Sequence, residues 1–139
     1  MSIRPLAGLA MAVLLVAAAC SSSTSLTGGA WKLTGFTEGV PASANVVPDA
    51  DQSKYTVTFN ADDNVAVVAD CNNSSGTYTA ASSPGAMTIT LGPTTLAFCP
   101  EGSLSDAFLA KLGLVASYAY DGSDLILTQS DGGTMSFTR

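Results

Sequence analysis

Residues 55–69 read Tyr55-Thr56-Val57-Thr58-Phe59, then Asn60-Ala61-Asp62-Asp63-Asn64, then Val65-Ala66-Val67-Val68-Ala69. In the first part Tyr55, Val57 and Phe59 alternate with threonines, and this period of two is typical of a strand with one buried face. The Asn- and Asp-rich part that follows favours a turn. The valine-rich part after it is apolar on both faces. Together they predict two antiparallel β-strands joined by a turn.

Short alternating segments recur along the rest of the chain, separated by turn residues. Further strands are predicted at residues 31–36, 76–80, 87–91, 117–120, 124–129 and 134–138, with a short segment at 94–98. Residues 37–54 contain Pro41 and Pro48 and are interpreted as a long loop. An antiparallel sheet of roughly eight strands curls to remove its edges. We therefore expect a mainly β fold, a small antiparallel barrel or a strongly twisted sheet.

One helix is predicted to interrupt the strands. Leu104, Phe108, Leu112 and Val115 recur at helical spacing and form one apolar face. Ser103 precedes them and is suited to cap the helix N-terminus. We expect this helix to cover one open end or face of the sheet.

The first twenty residues have the composition of an export signal. A charged start with Arg4 leads into an apolar run at residues 6–19, which ends in small residues directly before Cys20. The run is shorter than the about 20 apolar residues that cross a bilayer, and it fits a cleaved signal peptide at residues 1–19. A cysteine at that cleavage site is typical of a bacterial lipoprotein, so Cys20 is the predicted lipidation site. A secreted protein is the alternative, because Ala17 occupies a position where lipoprotein signals usually carry Leu.

The chain after this signal is predicted to form a tether and one domain. Residues 20–29 combine Cys20 with a Ser-rich stretch typical of a flexible spacer. Residues 30–139 are long enough for one domain with one core. We expect an extracytoplasmic domain anchored to a bacterial membrane by lipid on Cys20.

Composition argues against several classes of function. Lys and Arg number 5 against 11 Asp and Glu, a formal net charge of −6, so the basic face that nucleic-acid binding requires is missing. The chain contains no His, and neither a Ser-His-Asp nor a Cys-His catalytic arrangement is possible. A Gly-rich phosphate loop with Lys is also absent from the sequence. We therefore expect a protein that is not an enzyme and uses no cofactor.

Two cysteines remain in the predicted domain, Cys71 and Cys99. In an exported protein an isolated pair is most simply a disulfide. A structural zinc site would need further ligands, and the domain offers neither His nor a third thiol. The pair is therefore predicted to be a disulfide, and no metal site is assigned.

Carboxylates are the remaining candidates for acid–base chemistry. They are Asp62 with Asp63, Asp121 with Asp124, and Asp70 beside Cys71. Each lies in or beside a predicted turn, where Asp commonly has a structural role. We interpret them as turn residues.

Aromatic residues and one asparagine have two possible roles each. Trp31, Tyr55, Tyr78, Phe108 and Tyr118 either line a ligand cavity or fill the core, and core filling is the favoured interpretation. Asn72, next to Cys71, is either a functional surface residue or satisfies backbone groups beside the disulfide, which we favour.

Several of these residues carry a family resemblance when taken in order. They are Trp31-x-Leu33, Tyr55-x-Val57-x-Phe59, Cys71-Asn72, Tyr78, Thr94-x-x-x-x-Cys99-Pro100, Phe108-Leu109-x-x-Leu112-x-x-Val115-x-x-Tyr118 and Gly122-x-x-Leu125-x-Leu127. This order resembles the META domain, the HslJ-like family, over about residues 30–138. Two departures are Ala69-Asp70 before the Cys-Asn pair, where the family usually has small residues, and Ala97-Phe98, where it usually has Met-Ala.

The resemblance implies a compact barrel-like fold with one helix, common in bacterial envelope lipoproteins, with no catalytic residues established for the family. Members are linked to envelope stress and drug tolerance. We therefore expect a non-enzymatic envelope lipoprotein that binds another envelope protein or has an envelope-stress role. The alternatives are a carrier of a small hydrophobic ligand in a barrel cavity, and an inhibitor of a secreted hydrolase that presents residues 37–54 or the segment between Thr94 and Gly102.

Overall fold

A computed structural model of the chain describes residues 23–39 and 43–139. The strands are β1 (Trp31–Glu38), β2 (Ser43–Val46), β3 (Tyr55–Phe59), β4 (Asn64–Ala69), β5 (Asn72–Ala80), β6 (Gly85–Thr94), β7 (Val115–Asp121), β8 (Asp124–Gln129) and β9 (Thr134–Thr138), and the helices are α1 (Asp49–Gln52) and α2 (Ser105–Leu112). The predicted signal peptide, residues 1–19, and the predicted lipidation site, Cys20, lie outside the described residues. No helix within the described ranges is long and apolar enough to cross a bilayer.

The strands close into an antiparallel barrel. Each strand from β3 to β9 pairs with the next, β3 pairs with β1, and β9 returns to pair with β1 on its other side. This ring has eight strands, and β2 is an additional short strand on the second half of β1. The predicted mainly β barrel is therefore confirmed.

Alternation of apolar residues explains why the sheet closes. In β3 the side chains of Tyr55, Val57 and Phe59 are buried, as predicted, while the threonines between them are partly exposed. In β4 the side chains of the inner face are buried and those of the outer face are exposed; Val68, on the outer face, is 37% exposed. The largest fully buried side chains fill the barrel interior: Trp31, Phe59, Phe108, Phe137, Leu33, Met87, Leu112, Leu125, Leu127, Met135, Val47 and Val57.

Helix α2 covers one end of the barrel, in agreement with the prediction. Its buried Phe108 ring packs edge-on against Tyr55, with ring centroids 5.9 Å apart, and lies 6.2 Å from the Phe137 ring. The N-cap residue is Leu104 and not the predicted Ser103, although the Ser103 hydroxyl accepts a hydrogen bond from the Ser105 amide at 3.2 Å. Val115 was predicted to belong to the helical face, but the helix ends at Leu112 and Val115 begins β7, where it pairs with Gln129 of β8.

The prediction of a long loop over residues 37–54 is wrong. Strand β1 continues to Glu38, and β2 and α1 follow within the predicted loop. All four β2 side chains are exposed, so the strand has no buried alternating face to signal it in the sequence. It forms because its backbone pairs with β1, while Val47 directly after it is 1% exposed and donates its amide to the Thr34 carbonyl at 2.8 Å.

The barrel has two different ends. At the α2 end β6 finishes, β5 begins, and the chain crosses through residues 95–104 into α2. Residues 23–29, which we call the strap, lie at the other end. There Thr27 forms a bridge to Phe59, the last residue of β3. Strand β6 runs from the strap end to the α2 end over ten residues, a length of about 30 Å along the strand.

Candidate functional site

A disulfide fixes the segment that follows β6. Cys71, in the β4–β5 turn, is bonded to Cys99, with the two Cα atoms 5.4 Å apart. The pairing is the one the sequence predicts. We call residues 95–100 the cystine segment. The sequence predicted a break at Gly92-Pro93 and a separate short segment at 94–98, whereas β6 continues to Thr94 and the cystine segment has no strand neighbour among the described residues.

Asn72 holds the same segment from the barrel side. Its side-chain carbonyl accepts hydrogen bonds from the Ala97 amide at 2.7 Å and the Thr95 hydroxyl at 3.0 Å. Its side-chain amide donates to the Ala97 carbonyl at 3.1 Å and to the Ser105 hydroxyl at 3.2 Å. Asn72 is only 4% exposed, so one buried amide joins β5, the cystine segment and α2. This agrees with the favoured interpretation that Asn72 satisfies backbone groups beside the disulfide.

Two large apolar side chains of the cystine segment point into solvent. Leu96 is 93% exposed and Phe98 is 102% exposed. They alternate with Ala97, whose backbone bonds to Asn72, and Cys99, which bonds to Cys71. Leu96 and Phe98 therefore stand exposed on either side of Ala97, the residue whose backbone Asn72 holds.

Acidic residues line the two depressions next to the cystine segment. A depression of about 200 Å³ beside Phe98 is lined by the cystine segment and the start of α2, including Asp106. Glu101 lines the neighbouring depression of about 280 Å³, together with Asp51, Lys54 and Asp70. The lysine there is already paired, with Lys54 Nζ 2.8 Å from Asp51 Oδ1. Phe98 therefore lies in a region of net negative charge.

The second lysine of the α2 end is structural. Lys111 is 7% exposed, its Nζ lies 2.8 Å from Glu38 Oε1, and the same atom sits 4.9 Å from the Phe36 ring centre. The pair ties α2 to the end of β1. Lys111 therefore holds the helix in place over the barrel.

The strap end is closed by contacts that the sequence did not reveal. The Arg139 guanidinium donates to the carbonyl groups of Ser25, Leu26 and Thr27 and stacks 3.9 Å from the Trp31 ring centre. Trp31 Nε1 also donates to the Leu26 carbonyl at 2.8 Å. The sequence predicted a flexible spacer over residues 20–29, but its described part, the strap, lies against the barrel.

An open cleft of about 450 Å³ lies under the strap. Tyr78, Tyr118 and Tyr120 line it. The hydroxyls of Tyr78 and Tyr118 are committed to the carbonyl groups of Asn60 and Ala81, at 2.9 and 2.7 Å. Burial raises the pKa of the Tyr78 and Tyr120 phenols. The Tyr78 and Tyr120 phenols are therefore neutral near neutral pH.

The five aromatic residues considered for a ligand cavity are core residues. Trp31, Tyr55, Tyr78, Phe108 and Tyr118 are between 0% and 8% exposed. Tyr55 also uses its hydroxyl to accept the Leu104 amide at 2.9 Å, directly before α2. Core filling, the favoured interpretation, is what the structure shows.

The candidate carboxylates lie in turns. Asp63 and Asp70 have positive φ angles of 63° and 57°, a conformation that Asp adopts in turns more readily than most residues. Hydrogen bonds from the side chain and backbone of Asn64 lower the pKa of Asp62. Asp121 ends β7 and Asp124 begins β8, opposite each other across the turn. Among the described residues no group of three or more His, Cys, Asp or Glu side chains could hold a metal ion.

Sequence reasoning missed the most exposed features of the α2 end. Leu96 and Phe98 were included in the short segment at 94–98 and in the candidate inhibitory loop between Thr94 and Gly102, but neither was singled out as an exposed side chain. An alternating apolar pair that runs directly into a disulfide and a proline has little room to continue as a sheet strand. Arg139 and Lys111 carry no comparable signal, since their partners are distant in sequence.

Comparison with solved structures identifies proteins of similar fold. A protein from Burkholderia xenovorans, solved by NMR, matches with a TM-score of 0.62 and 24% identity over 82% of this chain and 83% of that chain. A DUF4847 family protein from Bacteroides vulgatus, solved by crystallography, matches with a TM-score of 0.59 and 16% identity over 81% of this chain and 93% of that chain. At these identities the likeness concerns the fold alone.

No significant match is found among curated proteins. The META domain model, by contrast, matches residues 24–139. The matched range covers all of the strap but its first residue, together with the barrel, the cystine segment and α2. This chain therefore belongs to the META domain family.

Proposed function

We propose that this chain is a non-enzymatic lipoprotein of the bacterial envelope, anchored through Cys20, that binds another protein with its cystine segment. The observation that carries the proposal is the nearly complete exposure of Leu96 and Phe98 beside each other at one end of the barrel. Exposed apolar groups that are adjacent and held in place are typical of interaction sites. Aromatic side chains in particular act as anchors in protein interfaces.

The fixed backbone of the cystine segment supports a binding role. Binding is weakened by the entropy lost when a mobile loop becomes ordered. Here Ala97 is held by both its amide and its carbonyl group, and Cys99 is held by a covalent bond. Most of the ordering cost of the backbone is therefore met when the protein folds, before any partner arrives.

The position of the segment supports a protein partner over the anchoring membrane. Cleavage before Cys20 would leave residues 20–22 between the lipid and the strap, and three residues extend at most about 10 Å. The strap end would then face the anchoring membrane, and the cystine segment, at the α2 end, would face away from it. The acidic residues Glu101 and Asp106 near Phe98 also disfavour contact with anionic lipid.

The ligand-carrier alternative gains no support from the barrel interior. Large side chains such as Trp31, Phe59 and Phe137 fill it and are at most 1% exposed. The clefts described above open to solvent at the two barrel ends. An envelope-stress role is compatible with the proposal, since it would require a protein partner whose state is sensed or stabilised.

Site-specific photo-crosslinking in the native cells tests the proposal. A photoreactive phenylalanine analogue at position 98 should give a discrete adduct in the membrane fraction. The matched control is the same analogue at Val46, which is apolar and 84% exposed but lies in β2. Equal adducts from both positions, or none from position 98, would refute binding through the cystine segment.

A further inference from the structure

We propose that the cystine segment is a substrate-like loop that occupies the cleft of an endopeptidase, with Phe98 as the side chain that enters the specificity pocket. This inference rests on the proposed protein-binding function and names the class of partner. It follows from which backbone groups of the cystine segment form hydrogen bonds with the barrel and which form none.

One edge of the segment is bound to the barrel. The Thr95 amide donates to the Asn73 carbonyl at 3.0 Å, and both backbone groups of Ala97 bond to Asn72. Asn72 thus takes the place of a neighbouring strand, with one side-chain amide bonding to both backbone groups of a single residue.

The other edge of the segment is open. Among residues 23–39 and 43–139, no hydrogen bond involves the backbone of Leu96 or Phe98. Asn72 takes both backbone groups of Ala97, the residue between them, and leaves those of Leu96 and Phe98 without a partner. A partner that binds by adding this segment to its own strand would find two consecutive outward residues unpaired.

Endopeptidases bind their substrates in this manner. The substrate chain lies extended in the cleft with its backbone paired to the enzyme, and one side chain enters a specificity pocket. A hydrophobic pocket selects an aromatic side chain. Phe98 is the fully exposed aromatic residue of the segment, and Leu96, also exposed, lies two residues before it.

The residues on either side of Phe98 explain why such a loop would inhibit. Hydrolysis of the Phe98–Cys99 peptide bond would consume one water and create a new carboxylate on Phe98 and a new amine on Cys99. Cys99 would remain bonded to Cys71, and Ala97 would remain bonded to Asn72. Both products would stay in place, so release is slow and the reverse reaction is favoured. A rigid loop that matches the bound conformation also binds tightly, as protease–inhibitor complexes do.

A second copy of this chain fits the segment less well. The region around Phe98 carries Glu101 and Asp106, and two such regions face to face would place like charges together. An enzyme cleft with an apolar pocket carries no such penalty. The geometry therefore favours an enzyme cleft over self-association.

Inhibition assays with chymotrypsin, subtilisin and trypsin test the inference on the full mature protein purified in mild detergent. Wild type should inhibit chymotrypsin or subtilisin, which accept aromatic side chains, and should not inhibit trypsin. Phe98→Gly should weaken that inhibition about 100-fold, the loss typical of a central anchor residue. Phe98→Arg should transfer inhibition to trypsin. Val46→Gly, the matched exposed control, should change nothing.

Asn72→Ala supplies a second readout. Without the Asn72 side chain, Ala97 is no longer held, and the loop can leave its bound conformation. The variant should therefore be cleaved after Phe98 faster than wild type, which mass spectrometry of the reduced protein measures. If the wild-type protein inhibits neither chymotrypsin nor subtilisin, the inference is wrong, whether or not these enzymes cleave the protein. If position 98 still gives a discrete crosslinked adduct, only the enzyme partner is wrong and the protein-binding proposal stands.

Discussion

Asn72→Ala is expected to destabilise the fold strongly, and more than the same substitution at the neighbouring Asn73. The side chain makes four hydrogen bonds to oxygen and nitrogen partners, between 2.7 and 3.2 Å. At about 1 kcal/mol net for each hydrogen bond, the four together contribute about 4 kcal/mol. Ala97 is exposed, so water can replace part of what it loses, whereas Ser105 is 2% exposed. We therefore expect a loss of about 2–4 kcal/mol in the free energy of unfolding.

Urea denaturation of the oxidised protein measures this loss, and the chain supplies a matched control. Asn73 is the next residue and has the same side chain, but it is exposed and its side chain makes no hydrogen bond with the described residues. Asn73→Ala should change the free energy of unfolding by less than about 0.5 kcal/mol. If the two variants are equally stable, the role assigned to Asn72 is wrong.

Three further perturbations probe the disulfide, the buried lysine and the strap. Replacing Cys71 and Cys99 together with Ser should cost about 3.5 kcal/mol in urea denaturation, the chain-entropy value for a sequence separation of 28. Glu38→Gln leaves the ammonium of Lys111, whose side chain is 9% exposed, without its carboxylate; because Glu38 is 41% exposed, we expect a loss of about 1–2 kcal/mol in thermal or urea unfolding. Arg139→Ala should release the strap, seen as faster hydrogen exchange of its amides and a red shift in the emission of the single tryptophan.

Each of the three has a result that contradicts it. Equal urea midpoints for the double Ser variant and wild type would show that the disulfide does not stabilise the domain. The Lys54–Asp51 pair is the control for Glu38, since its side chains are 52% and 42% exposed; Asp51→Asn should cost less than about 1 kcal/mol, and a cost equal to that of Glu38→Gln would argue against a buried pair. Unchanged exchange in the strap of Arg139→Ala would show that the guanidinium does not hold it.

The parts of the fold that the sequence predicts are those in which the chain alternates between core and solvent. Strand β3 shows this directly, because Tyr55, Val57 and Phe59 are both the apolar positions of the pattern and the buried side chains of the strand. Strand β2 was missed because it forms through backbone pairing with β1, and all four of its side chains are exposed. Patterns of side-chain polarity carry no information about such a strand.

The candidate site was predicted in part for the same reason. Cys71, Asn72 and Cys99 were identified from residue types and spacing, and the structure brings them together. The outward direction of Leu96 and Phe98 was not predicted, since apolar residues at alternating positions normally signal a buried face. It results from Asn72 binding the inner edge of the segment, a contact 25 residues apart in sequence.

Native mass spectrometry of the protein extracted gently from its own membranes examines the anchor and the partner in one experiment. We expect a mature chain that begins at Cys20, carries acyl chains, and retains a protein partner that is lost in the Leu96→Ser/Phe98→Ser variant and kept in Val46→Ser. A chain without acyl mass, or a partner that stays bound when both exposed side chains are replaced, would contradict it.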